Sequence, residues 1–242
     1  MSLKQAEILG VNVNSLTMVQ AVEKVQQFID ERKNALIATA NAEMLMRATQ
    51  DEELKHILNS ADLVVPDGAG TVWAANYLGV EMPERVAGYD LAQELMREAP
   101  GRGDRIYFFG SAPGVAETAR EKAMELYPGI KIVGTRNGFF SEADEPEIIA
   151  EIKAARPDIL LVALGVPKQE KWLYKYRQEL QVPVAIGVGG TLDVMAGVKQ
   201  RAPLLMQKAK LEWLFRGLKQ PSRAGRLLAL PKFVMKVMAS KK

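Results

Sequence analysis

The sequence predicts an α/β protein: a Rossmann-like, mostly parallel sheet with helices on both faces, followed by a helical C-terminal appendage. Two observations lead to this prediction. Short apolar segments rich in β-branched residues alternate along the chain with longer amphipathic segments. The apolar segments are hydrophobic at almost every position, as in parallel strands that are covered on both faces. These predicted strands lie at 35–40, 62–65, 105–110, 130–134, 158–164 and 183–188.

The segments between the strands have the hydrophobic spacing of surface helices. The sequence contains no repeat of fixed period and no low-complexity segment. One continuous Rossmann-like domain is therefore predicted over residues 1–202, and the appendage covers residues 203–242. The predicted helices lie at 17–32, 42–59, 69–78, 89–98, 113–127, 144–155 and 168–180.

Composition limits the class of protein. A chain of 242 residues with 48% hydrophobic and 25% charged residues suits one sizeable domain with an ordinary core. It has no cysteine, which rules out a disulfide framework and a thiolate metal site and fits a reducing compartment. We expect neither a secretory signal nor a membrane span, since no uncharged apolar run approaches the ~20 residues that a span needs.

The charge of the chain is distributed unevenly. Residues 203–242 hold ten lysines or arginines and one acid, a net charge of +9, and the total of +3 then leaves −6 for residues 1–202. A basic segment of this kind suits an anionic partner, either phospholipid or nucleic acid.

Apolar residues in the appendage form two stripes of helical spacing, separated at Pro221. The pattern leaves two interpretations open: helices packed on the core, or an interfacial element whose apolar faces, rimmed by Lys and Arg, bind an anionic bilayer. Without a membrane, such helices are expected to pack on a second copy as a homo-oligomer. The stripes are Leu211, Leu214, Phe215 and Leu218, then Leu227, Leu230, Val234, Val237 and Met238, with Lys232 and Lys236 opposite the second.

Ligands of open parallel sheets bind beyond the carboxyl ends of the strands, so the residues that follow each apolar run are candidates. After the first run, Thr39 and Asn41 present a hydroxyl and an amide, although Asn41 also suits the N-cap of the next helix. After the second run, Asp67 precedes a glycine pair. It either caps a helix or acts as a general base on a closely bound substrate.

Two further segments offer groups for a polar or anionic ligand. Arg85 is a planar, permanently charged donor that suits phosphate, or it forms a surface ion pair with Glu84 or Asp90. Gln169 falls in the first turn of a helix, where backbone N–H groups point outward, or it is an ordinary first-turn residue.

The segment GVGGTLD at 187–193 is the most phosphate-like feature. Gly189 and Gly190 follow a buried strand and are expected to expose N–H groups at the start of the next helix, and Asp193 is placed to reach a ribose hydroxyl. The segment lacks the complete GxGxxG pattern, which disfavours a nicotinamide cofactor.

Absent motifs narrow the chemistry. The sequence contains no DxD, no GxxxxGK[ST] and no HExxH, and its one histidine, His56, lies in a helical run. A histidine triad or a zinc site is therefore not expected. If a nucleotide diphosphate leaves at this site, helix N-termini and arginines must meet its charge, so we expect neither a metal nor another cofactor.

In combination, nine segments resemble the WecG/TagA/CpsF family of bacterial glycosyltransferases. Each segment alone is a weak signal, but in this order they cover nearly the whole chain. They are TANAE at 39–43, ADLVVPDGAG at 61–70, PERVAGYD at 83–90, FFGSAPGVAE at 108–117, YPGIKIVGTRNGFF at 127–140, GVPKQEKW at 165–172, GVGGTLDVMAG at 187–197, KQRAP at 199–203 and LEWLFR at 211–216.

The resemblance implies transfer of N-acetyl-D-mannosamine from UDP-N-acetylmannosamine (UDP-ManNAc) to undecaprenyl-diphosphate-linked N-acetylglucosamine (GlcNAc). The product would carry a β-1,4 linkage, formed with inversion, as in wall teichoic acid synthesis. Other members of the family move other sugars, such as N-acetylmannosaminuronate. Together with the basic appendage, the resemblance implies a cytoplasmic protein that docks peripherally on an anionic surface, the inner face of the cell membrane.

The resemblance also implies roles for individual residues. In a single-step displacement one base is enough to deprotonate the acceptor hydroxyl. Asp67 matches this base. The residues that match the lining of the sugar pocket are Thr39, Asn41, Arg85 and Gln169.

The UDP-binding turn is matched by Gly189, Gly190 and Asp193, with Phe139 beside the uracil. The appendage arginines that close over the site and contact the diphosphate are matched by Arg216, Arg223 and Arg226.

Two alternatives come from other classes: a Rossmann module that binds a nucleotide without catalysis, and a nucleic-acid-binding protein that uses the basic appendage. The apolar stripes of the appendage and the glycine turns disfavour nucleic acid, because they suit a bilayer and a small ligand.

Overall fold

The computed structural model describes residues 3–203, 205–206, 215 and 229–241. Within these residues, helices and strands alternate along most of the chain. The strands are β1 (Gln5–Ile8), β2 (Val11–Asn14), β3 (Ala35–Ala40), β4 (Leu63–Pro66), β5 (Arg105–Gly110), β6 (Lys131–Arg136), β7 (Ile159–Ala163) and β8 (Val184–Gly187). The α-helices are α1 (Met18–Asp30), α2 (Ala42–Ala48), α3 (Glu52–Ser60), α4 (Ala69–Tyr77), α5 (Gly88–Arg102), α6 (Val115–Leu126), α7 (Glu145–Ala155), α8 (Lys168–Leu180), α9 (Thr191–Met195) and α10 (Ala229–Ser240).

Strands β3 to β8 form one sheet in the order β4-β3-β8-β7-β5-β6, and every pairing in it is parallel. All six strands therefore end at the same edge. β1 and β2 form a separate antiparallel pair. The Oδ1 atom of Asn14 accepts a hydrogen bond from the backbone N–H of Val64 at 2.8 Å, which joins this pair to the outer strand β4.

Two hydrophobic layers cover the sheet, because successive strand residues point to opposite faces. Helices α1, α5, α6 and α9 pack on one face. Helices α2, α3, α4, α7, α8 and α10 pack on the other face, together with the β1–β2 pair. In β3, for example, Ile37 belongs to the first layer and Leu36 and Ala38 to the second. The predicted α/β class, with a parallel sheet and helices on both faces, is confirmed.

The six predicted strands all form, with ends within two residues of their predicted positions. The β1–β2 pair was not predicted, since its strands are only four residues long and alternate in burial. The single helix predicted over 42–59 is wrong. Asp51 interrupts it by accepting a hydrogen bond from the N–H of Leu54 at 3.0 Å, and so caps a new helix, α3.

The last helix, α10, packs on the domain through part of its apolar stripe. Phe233 and Val237 are fully buried in the layer formed by α2, α4 and the β1–β2 pair. On the opposite side, Lys232 and Lys236 are exposed, as predicted. Of the predicted stripe, only Val237 is buried among the described residues, while Met238 is exposed and the buried Phe233 was not predicted as part of it. Core packing is thus realised for part of the stripe, and Leu227 lies outside the described residues. Of the first stripe, only Phe215 lies within the described residues.

The end of β5 contains a glycine that no other residue replaces without strain. Gly110 has a φ of +125°, and a Cβ atom there would lie 2.4 Å from the carbonyl oxygen of Ala163 in β7. Both the backbone conformation and the contact exclude a side chain.

We expect Gly110→Ala to lower the free energy of unfolding by about 3 kcal/mol or more, because strands β5 and β7 must separate to admit a methyl group. Urea unfolding followed by circular dichroism measures this change. Gly101→Ala is the matched control: Gly101 lies in α5 with no atom within 4 Å of its Cβ position, so this change should be neutral or stabilising. Equal stability of the two variants would contradict the role of Gly110.

Candidate active site

The carboxyl ends of β4, β3 and β8 form the edge at which most predicted site residues meet. These three strands are neighbours in the sheet. The helices that follow β3 and β8 leave on opposite faces, since α2 belongs to one hydrophobic layer and α9 to the other. Such a switch between adjacent strands opens a crevice, and this is where ligands of parallel α/β sheets bind.

Asp67 lies directly after β4 and is held by the main chain of the neighbouring strand. Its N–H donates to the carbonyl oxygen of Ala40 at 3.0 Å, and the hydroxyl of Thr71 donates to the same oxygen at 2.9 Å. Gly68 follows with a φ of +93° and is the N-cap residue of α4. Asp67 therefore lies one residue outside the cap, at the edge of the crevice.

Thr39 and Asn41, at the end of β3, both hold backbone. The buried Thr39 hydroxyl donates to the carbonyl oxygen of Gly187 at 3.0 Å, which ties β3 to β8. Its side chain also fits against Gly88, where a Cβ atom would come within 2.9 Å. The Oδ1 atom of Asn41 accepts a hydrogen bond from the N–H of Met44 at 3.0 Å, so Asn41 is the N-cap of α2. Sugar contacts of these two residues stay a prediction.

Gln169 fastens the turns that follow β7 and β8. Its side chain is 1% exposed. The Oε1 atom accepts hydrogen bonds from the N–H groups of Gly165 at 3.2 Å and Gly189 at 3.0 Å, while Nε2 donates to Glu170 at 2.7 Å. A Cβ atom on Gly187 would lie 2.5 Å from Nε2, so the glycine makes room for the amide. Both ends of this amide hold protein groups, and a sugar contact of Gln169 stays a prediction.

Glu170 is a buried carboxyl group beneath the same turn. It is 2% exposed, and its Oε2 atom has no hydrogen-bond partner among the residues that the structure describes. Burial raises the pKa of Glu170 to about 7, and the hydrogen bond from Gln169 offsets this rise only in part. The carboxyl is therefore largely protonated below neutral pH.

Arg85 belongs to an ion-pair cluster at the start of α5. Its Nη2 atom is 3.5 Å from Asp90, one of the two pairings considered from sequence. Arg201 binds both carboxylate oxygens of Asp90, at 2.6 and 2.7 Å, and its guanidinium lies 4.6 Å from the ring centroid of Tyr89. Burial raises the pKa of that tyrosine, and the adjacent guanidinium opposes the rise. Two guanidinium groups thus share one carboxylate.

The turn after β8 makes more hydrogen bonds and ion pairs within the protein than its glycine pair predicts. The N–H of Gly189, which has a φ of +54°, donates to Gln169. The expectation that this N–H is exposed to a ligand is therefore wrong, because a buried amide takes the donor. The Asp193 carboxylate pairs with Lys199 at 2.6 Å. Contacts of Gly190 and Asp193 with UDP stay predictions.

Phe139 follows β6, the strand at the other edge of the sheet from β4. The residue before it, Gly138, donates its N–H to the carbonyl oxygen of Ser111 at 2.8 Å, so this segment lies beside the end of β5. The ring of Phe139 is 75% exposed. An exposed ring suits stacking on a planar base, and a place beside the uracil stays a prediction. Arg216, Arg223 and Arg226 lie outside the described residues.

The sequence analysis did not identify three further polar groups at this edge. They are Arg201, Glu170 and the carboxylate of Asp90, which two arginines share. Asp90 and Arg201 fall in two of the segments that carry the family resemblance, but they are 111 positions apart and only the fold joins them. A fourth group, Ser111, follows β5 with a φ of +61°, and its buried Oγ atom has no partner within the described ranges. The left-handed backbone of a non-glycine residue is the kind of strain that functional sites contain.

The described residues hold no group of three or more histidine or acidic side chains placed to bind a metal ion. His56 lies on α3, with its Nε2 atom 3.0 Å from the hydroxyl of Tyr174. Among the helices of the described ranges, none has the length and apolarity that crossing a membrane requires.

The buried carboxyl predicts a pH dependence of stability. The pKa of Glu170 is higher in the folded state, about 7, than its ordinary value of 4.5, so the folded protein binds the proton more tightly. The stability that this group contributes is complete below pH 4.5 and is lost as the pH rises to 7, by at most about 3 kcal/mol.

Glu170→Gln should remove this loss, since the amide keeps the shape and stays neutral. We expect the variant to gain stability relative to the native protein on going from pH 5 to pH 8, as measured by urea unfolding. The exposed Glu121→Gln on α6 is the matched control. If the variant and the native protein differ in free energy of unfolding by the same amount at pH 5 and pH 8, burial does not raise the pKa of this carboxyl.

Comparison with known proteins identifies the family of this chain. The chain matches the profile of the glycosyl transferase WecG/TagA/CpsF family over residues 6–242. It is 38% identical over 211 residues to an N-acetylglucosaminyldiphosphoundecaprenol N-acetyl-beta-D-mannosaminyltransferase of Bacillus spizizenii, covering 87% of this chain and 81% of that protein. It is 33% identical over 240 residues to a Staphylococcus aureus protein of the same name, covering 98% and 94%. The chain is therefore a glycosyltransferase and belongs to the WecG/TagA/CpsF family.

Proposed function

We propose that the protein transfers N-acetyl-D-mannosamine from UDP-ManNAc to undecaprenyl-diphosphate-linked GlcNAc, with inversion and without a metal, in teichoic acid linkage-unit synthesis. The names of the two relatives support the acceptor and the transferred sugar. The observation that carries the proposal is the position of Asp67, directly after β4 and at the crevice between β3 and β8.

In the proposed step, the carboxylate of Asp67 accepts the proton of the acceptor hydroxyl. The hydroxyl oxygen forms a bond to C1 of the donor sugar while the bond from C1 to the UDP oxygen breaks. Attack opposite to the leaving group inverts the configuration at C1, and no covalent enzyme intermediate is needed. The glycine at 68, next to Asp67, lets the sugar approach the main chain beside the base.

Departing UDP carries negative charge, which cationic groups at the crevice would neutralise in a water-poor site. Arg85 lies next to the end of β4, where the N–H of Val86 donates to the carbonyl oxygen of Pro66 at 2.9 Å, and it shares the carboxylate of Asp90 with Arg201. We propose that the appendage arginines Arg216, Arg223 and Arg226 add to this charge over the diphosphate. Arginine suits the role because its planar fork binds two phosphate oxygens at once.

Purified full-length protein is expected to form one disaccharide product from UDP-ManNAc and a diphosphate-linked GlcNAc acceptor with a short lipid chain. The rate should not change when EDTA is added. UDP-GlcNAc and UDP-N-acetylmannosaminuronate should react at least about tenfold more slowly, because a site shaped for one sugar leaves buried polar groups unpaired with another. Product formation is followed by mass spectrometry.

Asp67→Asn tests the base in the same assay. The amide keeps the shape and cannot take up the proton, so kcat should fall about 10²- to 10⁴-fold while the KM for the donor stays nearly constant. Asp30→Asn, on α1, is the control and should react like the native protein. Transfer from none of the donors would refute the proposed reaction, full activity of Asp67→Asn would refute the base, and inhibition by EDTA would refute metal independence.

We further propose that the protein associates peripherally with the cytoplasmic face of the membrane that holds its lipid acceptor. α10 and the residue after it support this proposal with three exposed lysines and two exposed methionines on one helical segment. Apolar side chains rimmed by lysine suit the headgroup region of an anionic bilayer. These residues are Lys232, Met235, Lys236, Met238 and Lys241.

The double variant Lys232→Glu/Lys241→Glu should bind vesicles that contain phosphatidylglycerol at least about tenfold more weakly than the native protein, because each lysine near such a surface contributes about 1 kcal/mol. Vesicle co-sedimentation at low and high salt measures the binding. Lys122→Glu/Lys153→Glu changes two exposed lysines on α6 and α7 and makes the same change in net charge. Equal loss of binding in both variants would mean that the surface of α10 is not the docking site.

A further inference from the structure

An open apolar groove runs between α4 and α10, next to the candidate base. Its volume is about 370 Å³, within the range of small-molecule sites. None of its lining side chains carries a charge. The lining residues are Ala69, Gly70, Trp73, Leu230, Phe233 and Val234.

The groove begins next to the carboxyl end of β4, which Asp67 follows. Ala69 and Gly70 are the second and third residues after Asp67 and form the first turn of α4. Trp73 lies one helical turn farther along, so the groove leads away from Asp67 along α4. The first lining residue of the groove is thus two positions along the chain from the candidate base.

At the head of the groove, Gly70 lets α4 pack closely against α2 and α10. A Cβ atom on Gly70 would lie 3.1 Å from the Cβ of Ala42, 3.7 Å from Phe233 and 3.8 Å from Leu230. Farther along, the indole of Trp73 is stacked on Tyr77 and meets the edge of Phe233, yet it is 36% exposed. A partly exposed tryptophan over an apolar floor is typical of a binding surface.

We propose that this groove receives the first isoprene units of the acceptor's polyprenyl chain, an inference that rests on the proposed function. The polyprenyl chain is the extended apolar part of the proposed substrates, and the sugar at its other end must reach Asp67. A slender branched chain suits a groove lined by glycine, alanine and aromatic rings. α10 forms one wall of the groove, and it is also the helix that we propose to dock on the membrane, so the chain would pass from the bilayer into the groove along this helix.

The experiment uses the full-length protein in solution without vesicles or detergent. Its acceptors are GlcNAc-diphosphates that carry a methyl group, one isoprene unit or two isoprene units. For the native protein, the KM for the acceptor should fall by about tenfold or more from the methyl acceptor to the two-unit acceptor, because each unit buries apolar surface. The KM for UDP-ManNAc should stay constant.

Trp73→Ala removes the wall of the groove, and Val234→Phe fills it. Both variants should raise the KM for the two-unit acceptor by about tenfold and leave kcat and KM for the methyl acceptor within about twofold. Two variants of opposite volume guard against simple misfolding, which would lower activity with every acceptor. Met124→Ala is the control, since Met124 is exposed on α6, on the other face of the sheet.

Three results would overturn the inference. A native KM that does not depend on chain length, or a dependence that both variants retain, would mean that the groove does not hold the chain while the proposed reaction stands. Weaker vesicle binding by Trp73→Ala with unchanged chain-length dependence would assign the groove to the bilayer instead. Absence of transfer to all three acceptors by the native protein would refute the proposed reaction and this inference with it.

Discussion

The geometry of the candidate site depends on one buried side chain, the amide of Gln169. Its oxygen holds the N–H groups of Gly165 and Gly189, so it fixes the turn after β7 against the turn after β8. The amide reaches both turns only because Gly187 has no side chain. Both hydrogen bonds are partly shielded from solvent, so breaking either one costs free energy and the two turns are held in one arrangement. The crevice next to Asp67 takes its shape from this arrangement.

The same amide connects the site to a second buried group. Nε2 of Gln169 donates to Glu170, whose carboxyl lies under the turn after β8. A charged carboxylate in this position lacks solvent, and burial accordingly raises its pKa to about 7. On β3, the hydroxyl of Thr39 donates a hydrogen bond to the carbonyl oxygen of Gly187 and so joins β3 to these contacts. A chain of buried polar contacts thus runs across the ends of β7, β8 and β3, beneath the surface on which a substrate would lie.

Much of the fold follows from the sequence, because continuous apolar runs separated by amphipathic segments fit few architectures other than a covered parallel sheet. The sequence predictions were wrong or incomplete at two places, where a helix cap or a distant contact determines the structure. Asp51 divides the helix predicted over 42–59, and a cap of this kind leaves the hydrophobic period almost unchanged. The β1–β2 pair escaped prediction because each strand buries only two or three side chains, and its stability comes from contacts with β4 that are distant in sequence.

Most of the candidate residues in the described part of the chain could also be located from sequence, since they follow a strand and parallel strands end at one edge; Arg85, between α4 and α5, is the exception. The hydrogen-bond partners of these residues could not be predicted from sequence. Whether a hydroxyl or an amide faces a ligand or holds the main chain depends on partners far along the chain. Thr39 bonds a carbonyl 148 positions away, and Gln169 bonds an N–H 20 positions away. Arg201 and Asp90 became part of the site only when the fold brought the segment after α9 against α5.

The two interpretations of the appendage do not exclude each other, which explains why the pattern alone could not decide between them. Residues four apart lie on one line of a helix, so burying Phe233 and Val237 fixes the orientation of α10 on the domain. Leu230 and Val234 then lie on the flank of that contact. The same contact places α10 against α4, with the apolar groove between them. The packing of one helix on the core and an apolar surface beside it thus arise from a single contact.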